Sequence, residues 1–545
     1  MQRVNIIWFR RDLRLEDNQA VFEAAASGDF VVPIFIIDPW FYSWAEVGKM
    51  RVRFMFESLQ NLHQNLLGLG SQLLILEGNS EKILNDLQKL LTQNNYQPHL
   101  YFNQDIQTEY GKERDTNVKK SWNQNQNQNQ NDNQHGCVHQ GLAYFLLQDK
   151  TKMGDWRTEY YQFQKAKIFS KPFHIQTNSD LTKLIFQMPH LSLIDLKNKY
   201  SQFADHQSEL FYGGESTAQQ VLNSFLDSRF VGYHWKLSRP YLAQLGSTSQ
   251  LSAHLMFGTI SPRQVYHQTK LRINNLDIIK NPKAKFSLNA FLDRMRWRDS
   301  FTQRFWFNPE YTWKNRFSEF DFLHDANREL TQNEQELLER WQNGQTGFAL
   351  VDASMRQLKN QGWMNFRMRA MCATFLTINC GIPWQLGAKH YMNYLVDGDM
   401  CIDSWQWQMQ SGITNPLSPT FRIYNPTKNI SEKDPELKYI HFWVPELRDL
   451  GLEQVLNGEY LGKSEYPKPM LDFTQTRKIN GKVVSDLRKK VRARLMQEKG
   501  LELSEAQIAQ KVVQKYKEGT QKRFQKLTQQ TQITQPSLFD DEGNG

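Results

Sequence analysis

An α/β domain built on a parallel sheet, followed by an all-α domain, is the fold this 545-residue sequence predicts. Short runs apolar on both faces alternate with helical stretches as far as His99–Phe102, the pattern of strands covered on both sides. From Gly213 onward the apolar residues fall at helical spacing instead, as in Val221, Leu222 and Phe225. The chain is also too long for one small core, so two or three domains are expected.

Val4–Phe9 is the first strand and runs into the loop Arg10-Arg11-Asp12. Val31–Ile37, closed by Asp38-Pro39, is the second, Leu73–Leu76 the third and His99–Phe102 the fourth. Asp17–Ser27 and about Val52–Leu67 read as the helices between them. Such sheets bind ligands at the carboxyl ends of their strands, so the loops Trp8–Asp12, Asp38–Val47 and Asn103–Arg114 should share one edge. No Gly-x-Gly-x-x-Gly follows the first strand, and the dinucleotide fingerprint is absent. Asn123–Gln134 is almost pure Asn and Gln and reads as a disordered surface insertion. Later helices are expected at Phe286–Phe307, Asn333–Trp341, Asp352–Asn360 and Arg367–Cys380, then near Gly481–Gln497 and Leu503–Leu527. The expected division is an α/β domain over 1–150, a connector over 151–209, a helical domain over 210–470, a basic helical extension over 471–527 and a disordered tail over 528–545.

A net charge of +9 favours polyanionic partners such as nucleic acid. Aromatic residues make up 13%, with 15 tryptophans, enough for large buried rings or stacking surfaces. The 4 cysteines, Cys137, Cys372, Cys380 and Cys401, form no Cys-x-x-Cys pair, so no metal site is expected and a reducing compartment fits. No signal-peptide core opens the sequence and no apolar run could cross a bilayer, which predicts a soluble, cytoplasmic protein.

Acids, arginines, tryptophans and loop glycines concentrate between Thr346 and Leu447. Gly362–Arg369, Val396–Asp399, Ser404–Trp407 and Phe421–Pro426 follow one another there. Asp-Gly-Asp alone is a common turn and Arg-x-Arg a common solvated face; their density marks a site. Upstream, the hydroxyl-rich turn Gly246–Ser252 opens a helix. It suits either a phosphate on free N–H groups or an ordinary N-cap.

Ile7-Trp8-Phe9-Arg10-Arg11-Asp12-Leu13-Arg14 resembles the N-terminal signature of the DNA photolyase and cryptochrome family. Gly213-Gly214-Glu215, Thr248–Ser252, Thr346-Gly347, Val351–Ala353, Met355–Leu358, Gly362–Met364, Asp397–Asp399, Trp405–Trp407 and Trp443–Leu447 continue the resemblance in order. It implies a helical FAD-binding domain and light-driven electron transfer from reduced FAD to a cyclobutane pyrimidine dimer drawn out of damaged DNA. By the same resemblance, Tyr233, Thr248, Ser249, Gln250, Leu251 and Ser252 would hold the diphosphate, with Arg298 nearby. Asp397, Gly398 and Asp399 would face the ribose and flavin edge, Arg369 would pair with Asp397, and Asp403 would stand near flavin N5. Trp405 and Trp384 correspond to inner and middle members of an electron relay, whose outer member falls near Phe320 or Trp313. Trp297 and Trp407 correspond to the two rings that grip the dimer, with Arg294, Phe366 and Arg422 around the lesion and Lys428 on the rim. Arg294, Phe366 and Ala370 depart from the family's usual residues.

Glu109, after Thr108, matches part of a folate-binding stretch, so folate, a deazaflavin or no antenna chromophore stays open. Gln535-Pro536-Ser537-Leu538-Phe539 resembles the peptide by which repair proteins dock on a DNA sliding clamp. A monomer is expected. Two other readings remain beside repair: a cryptochrome-type blue-light photoreceptor without repair activity, and a non-catalytic single-strand binding protein.

Overall fold

The computed structural model describes residues 1–42, 48–105, 108–124, 137–200, 211–276, 282–418, 421–459 and 465–498. The sheet has the order β5-β4-β1-β2-β3-β6. Its strands are β1 (Gln2–Phe9), β2 (Phe30–Ile37), β3 (Leu74–Glu77), β4 (Tyr96–Gln104), β5 (Val138–Leu142) and β6 (His190–Leu191). All neighbours pair in parallel except β3 with β6. Side chains alternate between two apolar layers, as a pleated strand dictates. Ile7, Phe9, Phe35 and Ile75 pack against α1 (Gln19–Ala26) and α2 (Lys49–Leu67). Ile6, Trp8, Ile34 and Leu76 pack against α3 (Ser80–Gln93) and α4 (Glu109–Gln124).

All four expected strands are present. β5 was not foreseen, because Val-His-Gln-Gly-Leu lacks an apolar run. The connector 151–209 holds α5 (Trp156–Lys165), shorter helices and β6, elements too short to show a period in sequence. The segments 125–136 and 499–545 lie outside the described residues, and with them most of the Asn/Gln insertion, the second extension helix and the Gln535–Phe539 peptide. Among the described residues no helix is long and apolar enough to cross a membrane.

The helical domain surrounds one large core containing Trp341, Met371, Tyr391 and Trp407. The helices that position the site are α6 (Ser252–Phe257), α7 (Pro282–Phe307), α8 (Gln332–Asn343), α9 (Ala349–Gln361), α10 (Phe366–Thr374), α11 (Trp384–Tyr394) and α12 (Met400–Gln410). The first helix of the basic extension, α13 (Phe473–Glu498), packs onto this core through Val484, Leu487 and Val491.

Arginines of the N-terminal signature lock the two domains together. Arg11 Nη2 meets Asp399 Oδ2 at 2.9 Å and its Nε donates to Met256 O at 2.9 Å. Arg14 Nη1 donates to Gly258 O at 2.9 Å. Gly258 has φ +65°, and a Cβ there would collide with the Arg11 backbone, so the close approach requires glycine.

Candidate functional site

A cleft of about 920 Å³ opens between the carboxyl edge of the sheet and the helical domain. Trp8–Arg11, Asp38, Trp40, Asp105, Thr108 and Glu109–Tyr110 line one wall; Met256, Trp384, Lys389, Gly398, Asp399 and Asp403 line the other. The three loops expected at one edge therefore meet there. Trp40 stacks on Tyr110 at 4.2 Å, and the Tyr110 hydroxyl donates to Asp38 Oδ2 at 2.8 Å. Thr108 Oγ1 accepts from Gly111 N at 3.0 Å as the cap of α4, which sets Glu109 on the cleft wall.

The helical wall concentrates charge. Arg369 Nη2 is 3.0 Å from both carboxylate oxygens of Asp397, and its Nε donates to Met364 O at 2.8 Å. Asp399 caps α12 by accepting from Cys401 N at 3.1 Å, while its other oxygen holds Arg11. Asp403, on the first turn of α12, is half-buried; its Oδ2 is shielded from solvent and has no hydrogen-bond partner among the described residues. Burial pushes its carboxyl up to about 7, against the pull of Arg369 and with the push of Asp397 and Asp399. Arg51 joins the group from α2, donating to Gly398 O and Met392 O at 3.3 and 2.9 Å. Nothing in the sequence distinguished Arg51 from a solvated helix arginine.

Arg369 and Asp397 stand behind the cleft's lining residues, and the remaining expected cofactor residues lie elsewhere. Tyr233 is buried against Phe225 and Phe291, and Tyr233 and the Thr248–Ser252 turn are not among the cleft's lining residues. Ser247 Oγ and Thr248 Oγ1 are shielded from solvent without a hydrogen-bond partner among the described residues. Arg298 is tied to Asp299 at 2.6 Å and to Leu255 O at 2.9 Å, joining α7 to α6.

Two expectations about tryptophan need correction. Trp297 and Trp407 do not face one another. Trp407 is 1% exposed inside the helical core, its ring 4.8 Å from Tyr391 and 6.2 Å from Trp341, and a Cβ on Gly387 would collide with it. Trp297 is 47% exposed on α7. Trp405 is the second case: its ring has the guanidinium groups of Arg304 and Arg316 at 4.8 and 4.9 Å. Two nearby cations oppose the loss of an electron from that indole. Trp407 is the tryptophan one turn from Asp403 that packs on α11, the helix Trp384 begins. Phe320, the expected outer position, is fully buried; Trp313 is 44% exposed at the cleft.

A second assembly lies on the surface. The Arg294 guanidinium sits 4.9 Å from the Trp297 ring and 5.1 Å from that of Phe366. Arg367 lies over Phe366 and Tyr424 at 5.2 and 5.3 Å and donates to the Tyr424 hydroxyl at 2.9 Å; Arg422 lies over Tyr424 at 5.7 Å. Arg294, Trp297, Phe366 and Arg422 were expected to act together. Arg367 and Tyr424 were missed, though both lie inside the motifs that mark the site.

Residues 5–162 match the DNA photolyase family and residues 291–486 match the FAD binding domain of DNA photolyase. A deoxyribodipyrimidine photo-lyase of Synechococcus sp. is 28% identical over 487 residues, which cover 87% of this chain and 94% of that protein. A cryptochrome DASH of Synechocystis sp. is also 28% identical, over 88% of this chain and 97% of its own. An archaeal photolyase from Sulfolobus tokodaii, solved with two FAD molecules, superposes with a TM-score of 0.70 at 25% identity, over 89% of this chain and 100% of that one. The donor set fits FAD: a carboxyl oxygen shielded from solvent and unpartnered among the described residues at Asp403, an arginine–carboxylate clamp at Arg369 and Asp397, and unsatisfied hydroxyls at Ser247 and Thr248. With that chemistry spread over the domain order both matches require, the chain belongs to the DNA photolyase and cryptochrome family.

Proposed function

We propose that the protein repairs cyclobutane pyrimidine dimers in DNA under light, as a deoxyribodipyrimidine photo-lyase. One observation carries this reading. Phe366 and Arg369 are three residues apart on α10, and so lie one above the other on the same side of the helix. Phe366 belongs to the exposed face of rings and arginines, and Arg369 to the buried carboxylate cluster. A base docked on the outer turn is therefore one helical turn, about 5 Å, from the inner one.

Arg369, Asp397 and Asp403 would hold FAD, which when bound and reduced would supply photoexcited electron-transfer chemistry with no net redox change. The chain's own groups do the rest. Trp297 and Phe366 offer π-faces to bases drawn from the stack. The Arg294 charge, shared between these rings, stabilises negative charge developing on the lesion. Arg367 and Arg422 meet phosphates. Arg369 and Asp397 clamp the pocket, and Asp403 Oδ2 can hold or release a proton near neutral pH. The Trp40–Tyr110 stack and Glu109 form a flat wall for an antenna chromophore at the cleft mouth.

The deciding experiment illuminates chemically reduced, flavin-loaded protein with blue light in the presence of single- and double-stranded oligonucleotides carrying one dimer. Light-dependent recovery of intact pyrimidines is expected. A flavin-loaded protein that recovers none in either substrate leaves the photoreceptor reading, which the half-buried acid Asp403 and the separation of Trp297 from Trp407 favour.

A further inference from the structure

Far from the cleft's chemistry, the outer edge of the sheet gathers a second set of polar side chains. His99 and Tyr101 are two apart on β4; Cys137 immediately precedes β5, two residues before His139. Alternation along a strand sends all four to the same face. Register brings them side by side: Tyr101 pairs with His139, and Leu100 N donates to Cys137 O at 3.0 Å. Cys137 Sγ then lies 3.1 Å from His99 Nδ1 and 3.0 Å from His139 Nε2, and the three ligating atoms are all within 4.8 Å of one another.

The surroundings hold these groups in place. The His139 ring stacks on Tyr101 at 4.2 Å with 7° between the planes. The Tyr101 hydroxyl accepts from Arg3 Nη2 at 2.9 Å, and Arg3 is paired with Asp29 at 3.2 Å. His99 is 7% exposed, and its far nitrogen Nε2 is buried without a hydrogen-bond partner among the described residues. Among the described residues the hydrogen-bond partner of that histidine is the thiol it faces. Cys137 and His139 are half-buried, on the outermost strand, where an ion can enter from solvent.

We infer that His99, Cys137 and His139 form a metal site for one zinc(II) ion, bound through two imidazole nitrogens and a thiolate with the fourth position left to water. Two nitrogens and a sulfur are a donor set zinc takes, and bond lengths of about 2.0–2.1 and 2.3 Å set tetrahedral nitrogen–sulfur separations near 3.5 Å. From their present spacing the two nitrogen–sulfur separations, 3.1 and 3.0 Å, open by about half an ångström, and the two nitrogens, which lie within 4.8 Å of one another, draw in toward about 3.3 Å. On binding, the thiol proton passes to solvent and the sulfur–zinc bond replaces it. The ion links the edge strand β5 to β4. Sequence spacing hides such a site because Cys137 lies 38 residues from His99 and only strand register unites them.

The test uses full-length, flavin-loaded protein stripped with a chelator, desalted and titrated with zinc(II) against a chromophoric competitor. One zinc per chain surviving gel filtration is expected. Cys137→Ser and His139→Gln, each shown to be folded by an unchanged flavin spectrum, are expected to weaken zinc by more than the roughly 10–100-fold that losing a mere supporting contact costs. Cobalt(II), as a second probe of the parent protein alone, is expected to give a thiolate-to-metal charge-transfer band in the difference spectrum. Absence of retained zinc, equal retention by both variants, bound cobalt without that band, or uptake of copper(I) where zinc is refused would each overturn the assignment.

Discussion

Two groups of aromatic rings adjoin helix α10, and their surroundings are opposite. On the buried side, Trp341 Nε1 donates to Cys372 O at 3.1 Å and the Tyr391 hydroxyl to Arg369 O at 3.1 Å, with Trp407 packed against both rings. On the exposed side, Trp297, Phe366 and Tyr424 are interleaved with Arg294, Arg367 and Arg422. The first group is held by packing and contributes to stability. The second leaves Trp297, Phe366, Arg294 and Arg422 exposed to solvent, where they can meet a polyanion and its bases. Trp405, buried beside two guanidinium groups, belongs to neither. A ring's function here follows from the charges beside it, which the letter W in a sequence does not carry.

The strongest way to break that comparison is to truncate one ring from each group. Trp407→Ala empties a fully packed position and is expected to cost about 3–5 kcal/mol in denaturant unfolding. Trp297→Ala, half exposed, is expected to stay within about 0.5 kcal/mol of the parent. Equal losses would mean the surface group is a structural element. A gentler pair, Trp407→Phe and Trp405→Phe, separates the relay candidates: the transient tryptophan absorption after a light flash should vanish in the first and persist in the second.

Asp403 sharpens the contrast on the buried side, because it sits one turn before Trp407 with an unsatisfied oxygen instead of a packed ring. Its folded-state carboxyl is raised to about 7, whereas an unfolded aspartate titrates near 3.9. Below that lower value both states are protonated and nothing is lost. As pH rises toward 7 the unfolded chain ionises first, so the apo protein loses stability, on the order of 4 kcal/mol over the window. Asp403→Asn should remove that pH dependence, leaving a variant more stable than the parent at pH 8 and similar to it at pH 4. Parallel melting curves for the two proteins across this range would mean the carboxyl is not raised.

Much of the fold was legible because residues such as Ile6, Ile7, Trp8 and Phe9 are buried on both faces of a strand, and nothing but a doubly covered sheet satisfies them. The Arg369–Asp397 clamp was legible through motif order. The tryptophans were not, for a geometric reason. Residues 405 and 407 lie about 200° apart around α12, so which one shares a face with Asp403 depends on how the helix is rotated. Position 407, four residues on, keeps that face; 405 turns toward α7 and Arg316. β5 escaped notice because its neighbours, not its composition, make it a strand.

On the exposed side the rings and the charges should separate in binding experiments. Trp297→Ala and Phe366→Ala are each expected to weaken binding of a dimer-containing single strand by about 1–3 kcal/mol, the scale of one stacked base. The loss should be smaller for an undamaged duplex, whose bases stay in the stack. If damaged and undamaged DNA lose affinity alike, the rings do not read the lesion.

Arg422→Ala is the smallest effect and the most specific to charge. Arg422 is exposed, lies 5.7 Å from the Tyr424 ring and sits at the outer end of the surface group. Removing it should release one fewer counterion on binding, so the slope of log affinity against log salt falls by about 0.7 for a single strand. The same change should leave the preference for damaged over undamaged strands intact, since a phosphate contact carries no information about the base. A loss of preference with an unchanged slope would instead assign Arg422 to the lesion beside Arg294, and would extend the base-reading part of the face across Tyr424 to its outer edge.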